Sequence, residues 1–211
     1  MRYPYLILVL ILFILLTSAC TLFKDPDANI LWQDDFSNTD SGWDVYSGDR
    51  GSNGYLNGQY QILVEHTNFD VWARANQDFS DVTIEVEATK SNGSDDNNYG
   101  LICKYEAINR FYMFLISSDG YYVIQKMTEE GYQRLSSDWF EASEAINKGN
   151  TTNKIKADCL EGKLALHVNG TLVSEVLDSD FSRGDVGLLG GTYNQGGVEI
   201  LFDNFIVRSA D

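Results

Sequence analysis

The 211-residue sequence is poor in residue types that often carry chemistry: it has two histidines and three cysteines, and only two prolines. So few nitrogen and sulfur ligands leave little for a zinc site, and no zinc-binding motif occurs. A Gly-x-Ser-x-Gly motif is also missing, and His66 and His167 are the only imidazoles available as the base of a Ser-His-Asp system. The sequence therefore gives no support to zinc-dependent or serine-nucleophile catalysis.

Positive charge is scarce as well. The chain has 15 Lys and Arg against 31 Asp and Glu, a formal net charge of −16. Phosphate binding requires clustered Lys and Arg, so nucleic acid is not an expected partner. The chain is nevertheless 44% hydrophobic and 13% aromatic, whereas disordered acidic segments contain few aromatic residues. These values predict a folded acidic domain.

The one long apolar run lies at the N-terminus, where Arg2 precedes residues 5–16 (YLILVLILFILL). Twelve residues are too few to span a bilayer, which takes about 20, but they suit the apolar core of a secretory signal. Ser18 and Ala19 are small and stand directly before Cys20.

This segment resembles a bacterial lipoprotein signal, although Thr17 stands where that family usually has Leu. The resemblance implies a signal peptide over residues 1–19, cleavage before Cys20, and a lipid on its sulfur. It also implies export to the outer face of a bacterial membrane, with residues 20–29 as lipidated cysteine and tether. The alternatives are an ordinary cleaved signal and an uncleaved N-terminal anchor.

If Cys20 carries a lipid, Cys103 and Cys159 remain in an oxidising compartment, where an even number of cysteines indicates a disulfide. Cys159 shares the apolar parity of Ile155 and Ala157, and Cys103 lies in a strand-like run. We expect a Cys103–Cys159 bond worth about 4 kcal/mol in the chain-entropy model. The alternative is two buried free thiols.

From Ile30 onward, apolar and polar residues alternate with a period of two. Residues 82–88 (VTIEVEA) and 163–168 (KLALHV) place apolar side chains at every second position, which is typical of strands with one buried face. Residues 110–117 (RFYMFLIS) are apolar on both faces and predict a central strand covered on both sides. Asn169-Gly170 predicts a tight hairpin turn.

Only residues 139–148 (WFEASEAINK) have a helical pattern, and strands do not alternate with helices. We therefore predict one all-β domain over residues 30–208, an antiparallel two-sheet β-sandwich of the jelly-roll kind.

Several motifs in these strands resemble those of a known superfamily. They are LWQDDFS (31–37), SGW (41–43), LALHVNG (164–170), GDVGL (184–188) and FDNF (202–205). The pattern is similar to the concanavalin A-like lectin/glucanase sandwiches, including laminin-G-like modules and family 16 glycoside hydrolases. It also resembles 3-keto-disaccharide hydrolase-like domains. The motifs specify turns and strand pairing, so the resemblance implies the fold and leaves the activity open.

The resemblance also implies a candidate calcium site. First and last strands usually pair in these sandwiches, which would bring Asp34 and Asp35 near Asp203, and the superfamily often binds calcium. Ca²⁺ takes six to eight oxygen ligands, so these three carboxylates are the candidate site, with the 95–98 loop (DDNN) as a second region. Asp and Asn are also common in loops that hold no metal.

Glycan binding requires exposed aromatic rings with hydrogen-bonding side chains beside them. The candidates are Tyr46, Trp72, Tyr122, Trp139 and Tyr193. The alternative for each ring is packing in the core.

Glycoside hydrolysis requires two suitably spaced carboxylates. Family 16 enzymes carry three alternating acids on one strand, and the nearest match, Glu85-Val86-Glu87, lacks the third. We assign no catalytic residue. The leading hypothesis is a surface lipoprotein whose non-catalytic sandwich binds glycan or another extracellular ligand; the alternatives are a carbohydrate-active hydrolase and a structural module that binds a cell-surface protein.

Overall fold

The computed structural model describes residues 29–210, which form strands and turns without a helix. The predictions for the signal peptide and Cys20 fall outside the described residues. The strands are β1 (Ile30–Asp34), β2 (Tyr46–Gly48), β3 (Gly51–Leu56), β4 (Gln59–Val64), β5 (Phe69–Phe79), β6 (Val82–Asn92), β7 (Asn97–Ala107), β8 (Arg110–Ile116), β9 (Tyr121–Thr128), β10 (Gly131–Arg134), β11 (Glu141–Ala142), β12 (Thr152–Leu160), β13 (Lys163–Val168), β14 (Thr171–Val176), β15 (Gly184–Thr192) and β16 (Val198–Ser209). Within this range no helix has the length and apolar character needed to cross a membrane.

The strands form two antiparallel sheets, which confirms the predicted sandwich. The nine-stranded sheet has the order β14-β13-β12-β6-β16-β4-β3-β2, with β1 also paired to β16. The seven-stranded sheet has the order β10-β9-β8-β7-β15-β5, with β11 paired to β9. The first and last strands are therefore neighbours, as the resemblance implied.

Alternation of side chains builds the core between the sheets. Val82, Ile84, Val86 and Ala88 of β6 all point into it and are buried. The predicted hairpin is present, because Val168 of β13 pairs with Thr171 of β14 across a two-residue turn whose residues both have positive φ.

A disulfide crosses this core. Cys103 of β7 and Cys159 of β12 are bonded, with their Cα atoms 6.6 Å apart and both side chains fully buried. Because the two strands belong to different sheets, the bond ties one sheet to the other. The predicted pairing is confirmed.

The predicted helix over residues 139–148 is wrong. Glu141–Ala142 instead pairs with β9, and the rest of the segment is turn and irregular chain. The reason is tertiary: Phe140 packs against apolar side chains on the outer face of the seven-stranded sheet, whereas Ile146 is buried in the core between the sheets. A short amphipathic helix has one apolar face, so it could not pack against two separate apolar clusters.

The seven-stranded sheet is apolar on both faces. On β8, Tyr112 and Phe114 join the core between the sheets, while Phe111 and Met113 belong to a second cluster on the outer face. This confirms the prediction of a strand covered on both sides. The second cluster also contains Ile102, Leu115, Val123 and Leu189, all buried, with Trp72, Tyr105, Met127 and Phe140 packed against it.

Candidate functional site

A cleft opens at one end of the sandwich, where loops between strands of both sheets meet. It has a volume of about 450 Å³. Its walls are Asn68, Asp96, Asn97, Ser117, Asp119, Tyr121, Arg134, Trp139, Phe140, Tyr193 and Asn194. We call it the rim cleft.

Buried Asn97 fixes the loops on one side of the rim cleft. Its Nδ2 donates to Ser118 Oγ at 2.9 Å, and its Oδ1 accepts the Ser118 backbone N–H at 3.1 Å. On the other side, the Asn68 N–H donates to the Tyr193 carbonyl at 2.8 Å, and Asn194 donates to Asp96 at 3.3 Å. The polar groups of the cleft are therefore held by hydrogen bonds between loops that are distant in sequence.

Aromatic side chains line the same cleft. Trp139 is 74% exposed, and the Arg134 guanidinium lies 5.4 Å from its ring centre and 5.8 Å from that of Phe140. Phe140 in turn meets Tyr193 edge to face, with ring centres 6.1 Å apart. Such cation–π and edge-to-face contacts orient the rings without covering Trp139.

A second, smaller pocket adjoins the rim cleft under β10. It has a volume of about 210 Å³ and shares Asn68, Arg134, Phe140 and Tyr193 with the cleft. Asp70, Asn98, Gln125, Tyr132 and Thr192 complete its principal walls. We call it the inner pocket.

The inner pocket exists because the seven-stranded sheet curls. Tyr132 lies on β10 and Asp70 on β5, the opposite end strands of this sheet, yet the Tyr132 hydroxyl donates to Asp70 Oδ2 at 2.6 Å. A flat sheet with strands about 4.8 Å apart would hold these two residues well beyond contact. Burial raises the pKa of the Asp70 carboxyl, although hydrogen bonds from Tyr132 and Asn98 oppose that shift. Burial also raises the pKa of Tyr193 to about 12.

Two of the five predicted ligand-binding aromatics, Trp139 and Tyr193, line the rim cleft. Trp72 points to the outer face of the same sheet but is partly buried against Phe111, with ring centres 5.9 Å apart. Tyr46 is exposed on β2, the end strand of the nine-stranded sheet. The structure therefore does not bring the five together.

The structure corrects the prediction that Tyr122 binds a ligand. Its ring belongs to the core between the sheets and its hydroxyl donates to Glu141 at 2.8 Å, so it presents no open face to a ligand. The neighbouring Tyr121 points the other way, is 41% exposed and lines the rim cleft. Adjacent strand residues face opposite sides, and the sequence alone did not indicate which side was the core.

The predicted calcium site does not form as a ligand cluster. Among residues 29–210 no group of three or more His, Cys, Asp or Glu is placed to hold a metal ion. The carboxylate of Asp34 is buried and already accepts hydrogen bonds from the Trp43 indole at 2.9 Å, the Phe36 N–H at 2.8 Å and the Ser41 hydroxyl.

The other two members of that predicted site are near one another but are used differently. Exposed Asp35 accepts a hydrogen bond from the Ser37 hydroxyl at 2.6 Å, and this bond lowers the Asp35 pKa. Burial raises the pKa of Asp203, and the charges of Glu87 and Asp35 add to the effect. Asp34 therefore organises the aromatic packing under β1, and calcium binding at these carboxylates stays a prediction.

The acidic pair considered for catalysis does not belong to either pocket. Glu85 pairs with Lys154 at 2.7 Å, and Glu87 accepts from Asn204. Both lie on β6 of the nine-stranded sheet, on the face turned away from the core.

Sequence reasoning missed Asp70 and Arg134, considered Asn98 only as part of the 95–98 loop, and did not select Tyr132 among the ligand-binding aromatics. No local signal identifies them, because they become neighbours only when β10 curls toward β5.

No protein-family model and no curated protein sequence matches the chain. Among solved structures, a carbohydrate-binding module, CBM66 of Bacillus subtilis, superposes with a TM-score of 0.65 at 17% identity, covering 80% of this chain and 96% of that one. A Bacillus licheniformis β-glucanase superposes with a TM-score of 0.59 at 10% identity, covering 85% of this chain and 98% of that one.

The GH43 protein BlXynB of Bacillus licheniformis gives a TM-score of 0.62 at 14% identity, covering 89% of this chain but 40% of that one. At such identities the likeness is one of fold. It agrees with the predicted two-sheet β-sandwich, and the matched structures include a carbohydrate-binding module, a β-glucanase and a GH43 protein.

Proposed function

We propose that this domain binds glycan in the rim cleft without chemical conversion, and that a lipid on Cys20 tethers it to the outer face of a bacterial membrane. The observation that carries the first part is the exposed Trp139 ring. A large apolar ring left in water costs solvation unless something covers it, and here amides and carboxylates line the same cleft of about 450 Å³. A sugar ring satisfies both sides, because its C–H face is apolar and its edge carries hydroxyls.

The position of the cleft fits a tethered binding domain. β16 begins at Val198, close to the Asn194 side of the rim cleft, and its far end pairs with the start of β1 at Ile30. Twelve strand residues span about 40 Å at most. A lipid upstream of β1 would therefore attach at the end of the sandwich opposite the cleft, leaving the cleft directed away from the membrane.

Net charge favours the same arrangement. Cleavage before Cys20 would remove Arg2, so 14 Lys and Arg would remain against 31 Asp and Glu, and this net negative charge would be repelled by anionic headgroups. A tethered domain would therefore stand off the bilayer.

A glycan array probed with the full-length chain, with and without added calcium, tests the binding proposal. We expect binding to at least one glycan, and a loss of about tenfold or more in affinity for Trp139→Ala, since buried Trp contacts dominate many interfaces. Tyr46→Ala is the matched control, because Tyr46 is exposed far along the other sheet and should not affect binding.

An array without any bound glycan, or equal binding by Trp139→Ala, would contradict the proposal and favour a module that binds a cell-surface protein. Analysis of each bound glycan for cleavage products tests the non-catalytic part. Cys20→Ala tests the tether: we expect release from the membrane fraction and loss of acyl label, and unchanged fractionation would refute it.

A further inference from the structure

The inner pocket contains two neighbouring oxygen acceptors, Asp70 Oδ1 and Asn98 Oδ1, of which the second lacks a donor. Asn98 is 5% exposed, and its Oδ1 is the one buried side-chain oxygen or nitrogen of residues 29–210 without a hydrogen-bond partner. Its Nδ2 is engaged, donating to Tyr193 Oη at 3.2 Å and to Asp70 Oδ1 at 3.4 Å. Leaving a buried acceptor unpaired is costly, and such groups are rare in folded proteins.

Both acceptors face the same point above Gly191. A Cβ at that position would lie 1.9 Å from Asp70 Oδ1 and 2.4 Å from Asn98 Oδ1. Gly191 does not adopt the left-handed conformation that favours glycine. The absence of a side chain there makes room for the two oxygens side by side.

No cation compensates Asp70. Among the described residues, Asp70 forms no ion pair, and the donors that reach its carboxylate are the Tyr132 hydroxyl and the Asn98 amide. Burial accordingly raises the pKa of Asp70. A carboxylate that has two neutral donors and no cation lies beside an amide oxygen that has no donor, and together they form a cradle for groups that donate hydrogen bonds.

The other walls restrict which donor fits. Arg134 also lines the inner pocket and would repel an ammonium group, while its N–H groups and the Gln125 amide can donate to a ligand. A hydroxyl both donates and accepts, so it matches this mixture. The volume of about 210 Å³ is below the 300–1,000 Å³ of pockets that hold drug-sized ligands, which limits the occupant to about one small ring.

We propose that the inner pocket is the hydroxyl-reading subsite of the glycan site: it takes one neutral sugar ring whose adjacent hydroxyls donate to Asp70 and to Asn98 Oδ1. This inference rests on the proposed glycan-binding function. Trp139 in the rim cleft then contacts the rest of the glycan.

Tyr132 controls access to the subsite. Its side chain is half-exposed on the end strand β10. Its hydroxyl donates to Asp70 Oδ2, whereas Asn98 donates to Asp70 Oδ1. A ligand hydroxyl would replace this donor, so the Tyr132 ring moves outward when the sugar enters. Tyr132→Phe removes the competing hydroxyl and should bind the same sugar more tightly.

The test is saturation-transfer NMR on the full-length chain, with D-glucose, D-galactose, D-mannose and D-fructose as neutral probes and D-glucosamine as the cationic one. We expect at least one neutral sugar to bind at millimolar concentration. Gly191→Ala, whose Cβ would displace the Asp70 and Asn98 oxygens, and Asn98→Ala, which removes one acceptor, should each weaken that binding about tenfold. Asp78→Asn is the control for a polar substitution outside the pocket, because Asp78 pairs with Arg183 elsewhere on the sheet.

Unfolding midpoints of the variants check that each remains folded, and Asn98→Ala keeps the test decisive if Gly191→Ala does not fold. Absence of neutral monosaccharide binding, binding unaffected in the folded variants, or binding of D-glucosamine alone would overturn the subsite.

The two proposals fail separately. Array glycans that bind the wild type and Gly191→Ala equally, but not Trp139→Ala, would preserve glycan binding and refute the subsite. An array without bound glycans would refute the proposed function itself.

Discussion

The Cys103–Cys159 bond should supply a large part of the domain's stability. The two residues are 56 positions apart, so the bond closes a long loop in the unfolded chain, and the chain-entropy model assigns it about 4 kcal/mol. Both side chains are fully buried between the sheets, so their truncation also leaves small cavities that cost about 1 kcal/mol each. Folded domains have total unfolding free energies of about 5–15 kcal/mol, so this loss would be severe.

Guanidinium unfolding of the oxidised wild type, Cys103→Ala, Cys159→Ala and the double variant measures the effect. Either single substitution already removes the crosslink, so each should lose most of what the double variant loses, a non-additive pattern. The unfolded chain also expands without the bond, so the dependence of the unfolding free energy on denaturant should steepen.

A different outcome would refute this reasoning. Additive losses of about 1 kcal/mol per cysteine, with an unchanged denaturant dependence, would mean that packing of the two side chains matters and the crosslink does not.

Two further predictions concern carboxylates. Asp34→Asn should destabilise the domain by about 1–3 kcal/mol, because the new NH₂ group would face a donor such as the Trp43 indole. Thermal unfolding should give the same loss with and without calcium. A loss that appears only with calcium would instead support a calcium site at Asp34. Asp70→Asn should stabilise the ligand-free domain at neutral pH, because the raised pKa of Asp70 means that folding opposes its ionisation. The gain in stability should shrink as the pH falls through the pKa of Asp70 in the folded protein, and it should vanish below the ordinary aspartate pKa. Unfolding midpoints measured across pH test this, and a gain that stays constant or grows as the pH falls would contradict the reasoning.

The strands and their sheet class could be predicted because alternation is a local property of the sequence. The hairpin at Asn169-Gly170 needed only the positive φ values that those residues tolerate, and β8 needed only apolar side chains on both faces. The pairing of Cys103 with Cys159 was accessible for a similar reason, since parity placed Cys159 on a buried face and the count of cysteines supplied its partner.

The helix prediction failed because an amphipathic pattern does not say which surfaces it will meet. Phe140 and Ile146 are apolar residues of the same ten-residue segment, yet they pack into clusters on opposite sides of the seven-stranded sheet. Tyr121 and Tyr122 illustrate the same limit within a strand: both sides of β9 are apolar, so parity alone could not separate the exposed ring from the buried one.

The curl of the seven-stranded sheet explains why the candidate site lies at the rim. In an open sandwich the outer face of this sheet would offer Trp72 as a platform along the strands. Here Phe140 packs onto that face and Tyr132 reaches Asp70 on the opposite end strand, so side chains occupy the space above the outer apolar cluster. A linear glycan lying along the strands would have to displace both rings and expose buried apolar surface, at about 25 cal/mol per Å². Binding at the end of the sandwich lowers that cost, because Trp139 is already exposed, Phe140 stays in place and only the half-exposed Tyr132 ring must move away from Asp70.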